Sequence, residues 1–441
     1  MDTTVDVNLE TQPKNSTNAL AKVTLAAGFG GFVEYFDFFI ASFAAASVWP
    51  AVFFSGVHNA SLASALSFAS FGVVFLARPV GAFIFGQVAD RAGRRTTLLL
   101  TMTAMGVGLL GIGLAPPYAS IGVTSIALLF IFRLLFGIGI GGEFGGAVSW
   151  ITETSKNSKW RPFWNLWATP VPLGLLAASL SFAALASFYK ASFVTVGWRI
   201  PFVFGAALVV IGVVIRYKVA ESPFMRDLID RKAVEASPAS QTLKLYWKKI
   251  ILLAFAIGFM ITLVSAIEVP FSVRYLATKG LPPVFLTYAT SISFAFGIFT
   301  LMLGFVLGSR LGRRNMLVLG ASWALVSVII FFPLVNTMNH GLVIFADMML
   351  FGPTVFTIAS QNTLFAESFP TRYRASGSGL AYTFGGLIAG LITVFVLPAI
   401  IVLSGGLLNS WPYVETVGII VVIASIIALM FVKETRHVRI E

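Results

Sequence analysis

The sequence contains no cysteine and only three histidines among its 441 residues. Without cysteine the chain cannot form disulfides, thiolate metal sites or a cysteine nucleophile. His58, His340 and His437 fall in expected loops or in the C-terminal segment, so no metal site is expected. The sequence also lacks a phosphate-binding glycine loop and a nucleophile placed with a base. We therefore expect neither an enzyme nor an ATP-driven pump, and no cofactor.

Charged residues are scarce as well. They form 11% of the chain, whereas hydrophobic residues form 57% and the mean hydropathy is +0.90. About a quarter of the residues in soluble domains are charged, so this composition cannot cover a soluble core. A hydrocarbon layer about 30 Å thick is crossed by about 20 apolar residues in a helix. The sequence predicts an all-α polytopic membrane protein with twelve transmembrane helices, at residues 23–46, 62–88, 96–115, 122–151, 163–188, 199–218, 250–275, 284–308, 315–334, 341–366, 375–403 and 412–432.

The net charge of +12 reflects membrane topology rather than nucleic-acid binding. Most of the 30 Lys and Arg residues fall on alternate loops, which the positive-inside rule assigns to the cytoplasm. Both termini are therefore expected in the cytoplasm of a multi-pass plasma-membrane protein that has no nucleic-acid partner. Residues 1–22 form a polar tail without the basic-then-apolar order of a cleavable signal, and residues 433–441 form a second tail.

A polar stretch near the midpoint divides the predicted helices into two sets of six. We expect bundles at residues 23–218 and 250–432, joined by a cytoplasmic loop at residues 219–249. Residues 90–95 (Asp-Arg-Ala-Gly-Arg-Arg) follow the second helix, and residues 309–314 (Ser-Arg-Leu-Gly-Arg-Arg) follow the eighth. Parallel repeats of this kind are typical of secondary transporters. The alternative is a chance likeness between two basic loops.

These two loops and the ends of the fourth and tenth helices predict a cytoplasmic gate. Glycine permits a tight turn, an aspartate is favourable at a helix N-terminus, and the arginines can pair with carboxylates. Such a cluster can hold the two halves together in one conformation and release them in the next; the alternative is a basic anchor without a gating role. The candidate gate residues are Gly86, Asp90, Arg91, Gly93, Arg94, Arg95, Glu153, Arg310, Gly312, Arg313, Arg314, Glu367, Arg372 and Arg374.

Three charged residues lie at similar depths within predicted helices. Glu34 and Asp37 are three positions apart in the first helix and share one face, and Arg133 lies in the fourth helix. A charge at mid-membrane is costly and is by default a functional-site hypothesis. A carboxylate that moves relative to Arg133 can take up a proton in one conformation and release it in the next. We predict that these three residues couple a proton; the alternatives are a static ion pair that holds the first and fourth helices together and, for Glu34, a place beside the cytoplasmic vestibule.

Motifs at residues 86–95, 34–39, 77–81, 133–143, 198–202 and 367–377 resemble those of the major facilitator superfamily. They are most similar to its metabolite:H⁺ symporter branch, which includes transporters of shikimate, α-ketoglutarate, citrate and proline/betaine. The resemblance covers about residues 28–435 and implies two six-helix bundles around a central cavity, with alternating access. Ser309, Phe305 and residues 39–41 (Phe-Ile-Ala) depart from the family pattern in the second gate loop and the first helix.

The expected function is proton-coupled uptake of a small metabolite, an organic acid or a zwitterion, by a monomer in the lipid bilayer. An arginine offers a bidentate partner for a carboxylate, which makes Arg78 the candidate cation of the substrate site. Tyr35, Gln361, Asn362 and Tyr382 are further candidates for the cavity. Two alternatives remain, an exporter of small solutes or drugs by proton antiport on the same fold and a non-transporting sensor.

Two more carboxylates are predicted within the membrane. Glu268 and Asp347 lie in the outer thirds of the seventh and tenth helices. They border an exit path or bind a ligand, and the sequence leaves both readings open.

Overall fold

The computed structural model describes residues 17–155, 164, 167, 170–218, 238–370 and 373–436, and these residues contain helices but no strand. Twelve of the helices are long and apolar enough to cross a membrane. We number them α1 Thr17–Ser47, α2 Ala60–Ala92, α3 Arg94–Leu114, α4 Val123–Thr154, α5 Val171–Tyr189, α6 Arg199–Tyr217, α7 Ala239–Thr278, α8 Pro283–Leu311, α9 Arg313–Val335, α10 His340–Ser368, α11 Arg374–Leu403 and α12 Trp411–Phe431. The predicted all-α polytopic fold is confirmed.

Because twelve spans alternate in direction, the described ends of the chain lie on one face of the bundle. We call it the terminal face and the other the opposite face. The loops α2–α3, α4–α5, α8–α9 and α10–α11 lie on the terminal face, whereas the loops α1–α2, α7–α8 and α11–α12 lie on the opposite face.

Three helices of the second half are interrupted near mid-span. Helix α7 widens into a π-helical segment at Leu263–Phe271, which contains Pro270. Helix α10 breaks at Thr357, after Pro353, and α11 has a π-helical segment at Ile392–Val396. Proline cannot donate the helical hydrogen bond, so other groups must satisfy the carbonyl that it frees. For Pro353 this is the carbonyl of Met349, which accepts a hydrogen bond from the Ser327 hydroxyl of α9 at 2.6 Å.

Glycine lets α2 and α4 pack backbone against backbone. A Cβ atom at Gly141 would overlap the carbonyl oxygen of Arg78, and one at Gly137 would overlap that of Val74. On the other helix, a Cβ at Gly81 would overlap the Ile138 carbonyl. Small residues allow this close approach in lipid, where packing rather than the hydrophobic effect joins helices. The contact places the side chains of α2 at a fixed position relative to those of α4.

The two predicted gate loops have the same backbone conformation. Gly93, between α2 and α3, has φ 100° and ψ 161°, and Gly312, between α8 and α9, has φ 97° and ψ 166°. Only glycine adopts this conformation readily. The two glycines occupy corresponding positions of the two repeated motifs, so the local structures agree with the predicted duplication.

The start of α7 differs most from the prediction. Residues 238–249 were expected in the central loop, but they form the first turns of α7, in a helix that runs Pro238–Thr262 with a kink at Tyr246 (φ −121°, ψ 15°). These turns carry Lys244, Lys248 and Lys249 beside Tyr246 and Trp247. Such residues are typical of the membrane interface, and a search for apolar runs does not detect a helix there. Residues 219–237 of the predicted loop lie outside the described residues.

Candidate functional site

A cavity lies between the two halves of the bundle. The volume open to the centre of a water molecule is about 50 Å³, so the cavity is narrow in this conformation. Helices α1, α2 and α5 supply one wall, and α7, α10 and α11 supply the other. The lining is largely apolar, with polar groups from Tyr35, Arg78, Thr354, Gln361 and Tyr382; its other residues are Phe38, Phe75, Val171, Leu175, Met260, Ile261, Val264 and Ile358. An apolar pocket with a few converging polar groups is the usual form of a small-molecule site.

Arg78 is the cation of the cavity wall, and its partner is a buried carboxylate behind that wall. Its guanidinium lies 2.9 Å from a carboxylate oxygen of Glu34 on α1, and both side chains are buried. The guanidinium also lies over the Phe75 ring, 4.6 Å from its centroid. The sequence predicts Glu34 beside Asp37 and Arg133; the structure instead pairs it with Arg78. Residues three apart on a helix differ in direction by about 60°, and here that difference turns Glu34 toward α2 and Asp37 toward α4.

Two tyrosines join the halves at the cavity. The hydroxyls of Tyr35 on α1 and Tyr382 on α11 lie 2.8 Å apart. The Tyr382 ring is stacked on Phe144 of α4, with centroids 4.0 Å apart and planes 12° apart. Gln361 also lines the cavity, whereas Asn362, its neighbour on α10, is fully buried and does not. Four of the five predicted substrate residues therefore share one cavity.

Asp37 and Arg133 form a second buried pair next to the cavity but not in its wall. The Arg133 guanidinium lies 3.0 Å from the Asp37 carboxylate and donates to the Phe71 carbonyl at 3.3 Å. Both side chains are 1% exposed. The cation also lies within 6 Å of the ring centroids of Trp49, Phe71 and Phe136, a distance at which aromatic faces attract cations.

The Asp37–Arg133 pair is incompletely satisfied. One carboxylate oxygen of Asp37 and the Nε of Arg133 have no hydrogen-bond partner among the described residues. Phe38, which lines the cavity, packs edge-on against Phe71 at 5.4 Å, and Phe71 contacts the cation. An aromatic layer thus separates the ion pair from the cavity, and a shift of this layer would change the surroundings of both.

A third buried pair, between Glu143 of α4 and Arg216 of α6, was not expected from the sequence. The Arg216 guanidinium donates to both carboxylate oxygens and also to the carbonyls of Ala26 and Leu98. Thr101 donates to the same carboxylate at 3.0 Å. From the distribution of basic residues over alternate loops, the sequence predicts Arg216 on the cytoplasmic side, at the end of the sixth helix. The pair could have been predicted from one feature of the sequence: Glu143 and Arg216 each lie inside a predicted helix, where a charge needs a partner.

The first gate loop lies where α2 meets α3. Asp90 belongs to the last turns of α2, Arg91 is exposed and Arg94 is buried. Arg95 donates to the Tyr217 carbonyl at the end of α6 and lies over its ring at 4.9 Å. Gly86 faces α11, where an added Cβ would lie 3.4 Å from the Ser376 hydroxyl. The side chains of Asp90 and Glu153 lie outside the described part of the structure.

The second gate loop is held by the chain after α12. Glu434 accepts hydrogen bonds from the backbone N–H groups of Arg313 and Arg314, at 2.9 and 3.0 Å, and so caps α9 as an anion. Partial burial raises the pKa of Glu434, but the backbone donors of Arg313, Arg436, Arg314 and Thr435 outweigh it and hold the pKa below its usual value. The sequence gives no signal for this cap beyond a carboxylate among basic residues.

The other residues of the second gate lie close by. Arg313 is 3.7 Å from Glu367, which also accepts from the Thr435 hydroxyl at 2.7 Å. Arg314 donates to the Leu429 carbonyl, and the Arg310 carbonyl accepts from Arg436. The buried Arg374 donates to the Ala366 carbonyl; Arg372 lies outside the described residues.

A sequence profile of the Major Facilitator Superfamily matches residues 27–394. The chain is 30% identical over 444 residues to the inner membrane metabolite transport protein YhjE of Escherichia coli, which covers 99% of this chain and 98% of that protein. It is 28% identical over 412 residues to a putative proline/betaine transporter of Staphylococcus haemolyticus, over 90% of this chain and 82% of the relative.

Solved structures share the fold. The xylose transporter XylE from Escherichia coli, in a partially occluded inward open conformation, superposes with a TM-score of 0.75 over 95% of this chain and 99% of XylE. The sequence identity is 18%, so the likeness establishes the architecture and not the substrate.

Proposed function

The chain belongs to the major facilitator superfamily, and we propose that it is a proton-coupled symporter in the inner membrane, where its Escherichia coli relative is named as a metabolite transport protein. It takes up a small organic acid or zwitterion by alternating access, acts as a monomer, and keeps its terminal face in the cytoplasm.

The observation that carries the proposal is the buried Asp37–Arg133 pair at the edge of the cavity, 3.0 Å between the charged groups. Beside an arginine a buried carboxylate is stable as an anion, and away from the arginine burial favours its neutral, protonated form. Substrate entering the cavity moves the aromatic layer of Phe38 and Phe71 that touches Arg133. A change in the Asp37–Arg133 distance between conformations then loads and releases one proton.

The Arg78–Glu34 pair supports a substrate that carries a carboxylate, alone or with a cation. Arg78 reaches the cavity wall, where a substrate carboxylate can replace Glu34 as its partner in a bidentate contact. The released Glu34 carboxylate then matches the positive group of a zwitterion. Relatives named as proline/betaine transporters agree with this class. Tyr35, Tyr382 and Gln361 offer hydroxyl and amide groups for the remaining polar contacts.

A ligand screen followed by transport tests the proposal. Purified protein is heated with proline, betaine, shikimate, citrate, α-ketoglutarate or xylose, and a ligand at about 100 times its Kd stabilises by roughly 2.7 kcal/mol. We expect a carboxylate-bearing compound to stabilise the wild type, and Arg78→Lys to weaken that effect. Xylose as the sole stabilising compound would contradict the assigned class.

The hit is then assayed in proteoliposomes of known orientation, with an imposed proton gradient in either direction. We expect accumulation toward the alkaline side when the terminal face is on that side. Accumulation on the side from which protons enter would instead establish an antiporter. Transport that does not depend on the gradient would contradict proton coupling.

A further inference from the structure

The second half of the bundle contains two buried carboxylates that the proposed mechanism does not use. Glu268 lies in the π-helical segment of α7 and is fully buried, and Asp347 of α10 is 3% exposed. Both carboxylate oxygens of Glu268 and one of Asp347 have no hydrogen-bond partner among the described residues. Ser293 of α8 approaches Glu268, but its hydroxyl donates to the Asp347 carbonyl at 2.9 Å. The π-helical segment that carries Glu268 packs directly against α10, which carries Asp347.

Both groups continue the cavity wall toward the opposite face. On α7, Met260 and Val264 line the cavity and Glu268 follows one turn later. On α10, Thr354 lines the cavity and Asp347 precedes it by two turns. Since α7 runs toward the opposite face and α10 runs away from it, the two carboxylates lie on the same side of the cavity, between it and the opposite face.

The path from this site to the opposite face is closed. Arg274 of α7 donates to the Ser64 hydroxyl of α2 at 3.2 Å, and Phe294 of α8 packs edge-on against Phe39 of α1 at 5.5 Å. The Arg274–Ser64 contact joins the two halves between the site and the opposite face, and the Phe294–Phe39 contact joins them at about the level of the site, since Phe294 follows Ser293. In this conformation the carboxyl groups are therefore shut off from water on that side.

No described cation neutralises the two groups. Helices α1, α10, α11 and α12 pack on the π-helical segment. On α1, Glu34 and Asp37 are paired with Arg78 and Arg133. His340 and Glu415 lie toward the opposite face, and Lys22, Glu367 and Arg374 lie toward the terminal face. Asp347 is the remaining charged residue of these helices. Arg274, on α7 itself, is engaged by Ser64. Burying an isolated ionised carboxylate is so costly that such a group is neutralised instead.

We infer that Glu268 and Asp347 form a second proton-binding site, filled while the opposite face is closed and emptied when that face opens. Opening of the Ser64–Arg274 contact admits water, in which the carboxylates are stable as anions and release their protons. Closing the face again requires that they be reprotonated. The site thus links the state of the opposite face to external pH. It goes beyond the coupling proposed at Asp37 and does not depend on it, because it lies in the other half and uses no arginine.

Distance measurements across the opposite face test this site without a transported substrate. The chain has no cysteine, so spin labels can be attached to His58→Cys and Asn409→Cys, which are exposed and lie in the α1–α2 and α11–α12 loops. In liposomes we expect the labels of the parent protein to move apart as pH rises. Glu268→Gln with Asp347→Asn mimics the protonated state and should abolish that movement and keep the short distance at every pH.

Glu415→Gln is the matched control, since it removes a carboxylate near the same face and should leave the pH response intact. Infrared spectra of the same samples provide a second readout, because the absorption band of protonated carboxyls should lose intensity in each single variant, Glu268→Gln and Asp347→Asn. An unchanged pH response in the double variant would overturn the assignment. The assignment would also be overturned if, at constant pH, sodium chloride changed the distance between the labels and choline chloride did not, because the ligand of the site would then be Na⁺.

Discussion

Replacing Asp37 by asparagine separates substrate movement from proton movement. The side chain keeps its shape and can still accept a hydrogen bond from Arg133, 3.0 Å away in the parent protein, but it can no longer exchange a proton. A carrier with a permanently neutral residue 37 resembles the proton-loaded state. We expect it to bind substrate and to exchange it across the membrane, and to lose accumulation that a proton gradient drives.

The magnitude follows from the coupling. One proton moving down a gradient of one pH unit supplies about 1.4 kcal/mol, which corresponds to roughly tenfold accumulation of a neutral substrate. The wild type should approach this ratio in proteoliposomes, and Asp37→Asn should remain near onefold. Counterflow of labelled substrate, measured on the same preparation, should continue in the variant.

The folded fraction must be measured beside transport, because removing one partner of a buried ion pair costs about 3–5 kcal/mol. Glu34→Gln is the matched control: it neutralises the other buried carboxylate of α1, whose partner is Arg78. It should weaken substrate binding and leave the remaining transport coupled. Tenfold accumulation by folded Asp37→Asn protein would refute the reasoning, because another carboxylate would then carry the coupled proton.

Three further outcomes are expected. Gly30→Ala should lower the melting temperature and the yield of folded protein, because the added Cβ would overlap the Glu143 carboxylate and the Arg216 guanidinium; wild-type melting would contradict the tight packing there. Because the pKa of Glu434 is held below its usual value, its anionic cap stabilises α9 at neutral pH and is lost as pH falls through that lowered pKa. Glu434→Gln should therefore lower the melting temperature at pH 7 and leave it nearly unchanged in strong acid, and an equal loss at both pH values would contradict the cap. A reporter fused within residues 225–245 should read cytoplasmic and one within residues 404–411 external, and the reverse result would invert the assigned faces.

The helices could be predicted from the sequence because the bilayer imposes a single requirement on each of them. In lipid every backbone group must be hydrogen-bonded within its own segment, so an apolar run long enough to cross the bilayer must be a helix. At the membrane surface this requirement no longer applies, because water can also bond the backbone. We expect the first turns of α7, with Lys244, Lys248 and Lys249, to meet water and lipid headgroups, and hydropathy does not reveal their helix.

The pairing of charged side chains was harder to predict from the sequence. Depth within the membrane follows from the residue number, so Glu34, Asp37 and Arg133 could be placed at one level. The neighbour that each side chain faces could not be predicted, because it depends on how the helices pack around one another. In the structure, this packing pairs Glu34 with Arg78. Arg216 shows the same limit, since its partner on α4 becomes evident only once α6 is packed against α3 and α1.

The four ion pairs described above, Arg78–Glu34, Arg133–Asp37, Arg216–Glu143 and Arg313–Glu367, each join residues of the same half. The Tyr35–Tyr382 contact, by contrast, joins the two halves through neutral hydroxyls. A neutral hydrogen bond contributes only about 0.5–1.5 kcal/mol net, whereas separating a buried ion pair is several times more costly. Among the described residues, tilting one half against the other therefore need not separate these four pairs. Tilting and ion-pair separation are thus different events: the changes proposed at Asp37–Arg133 and Arg78–Glu34 take place inside the first half and not across the interface between the halves.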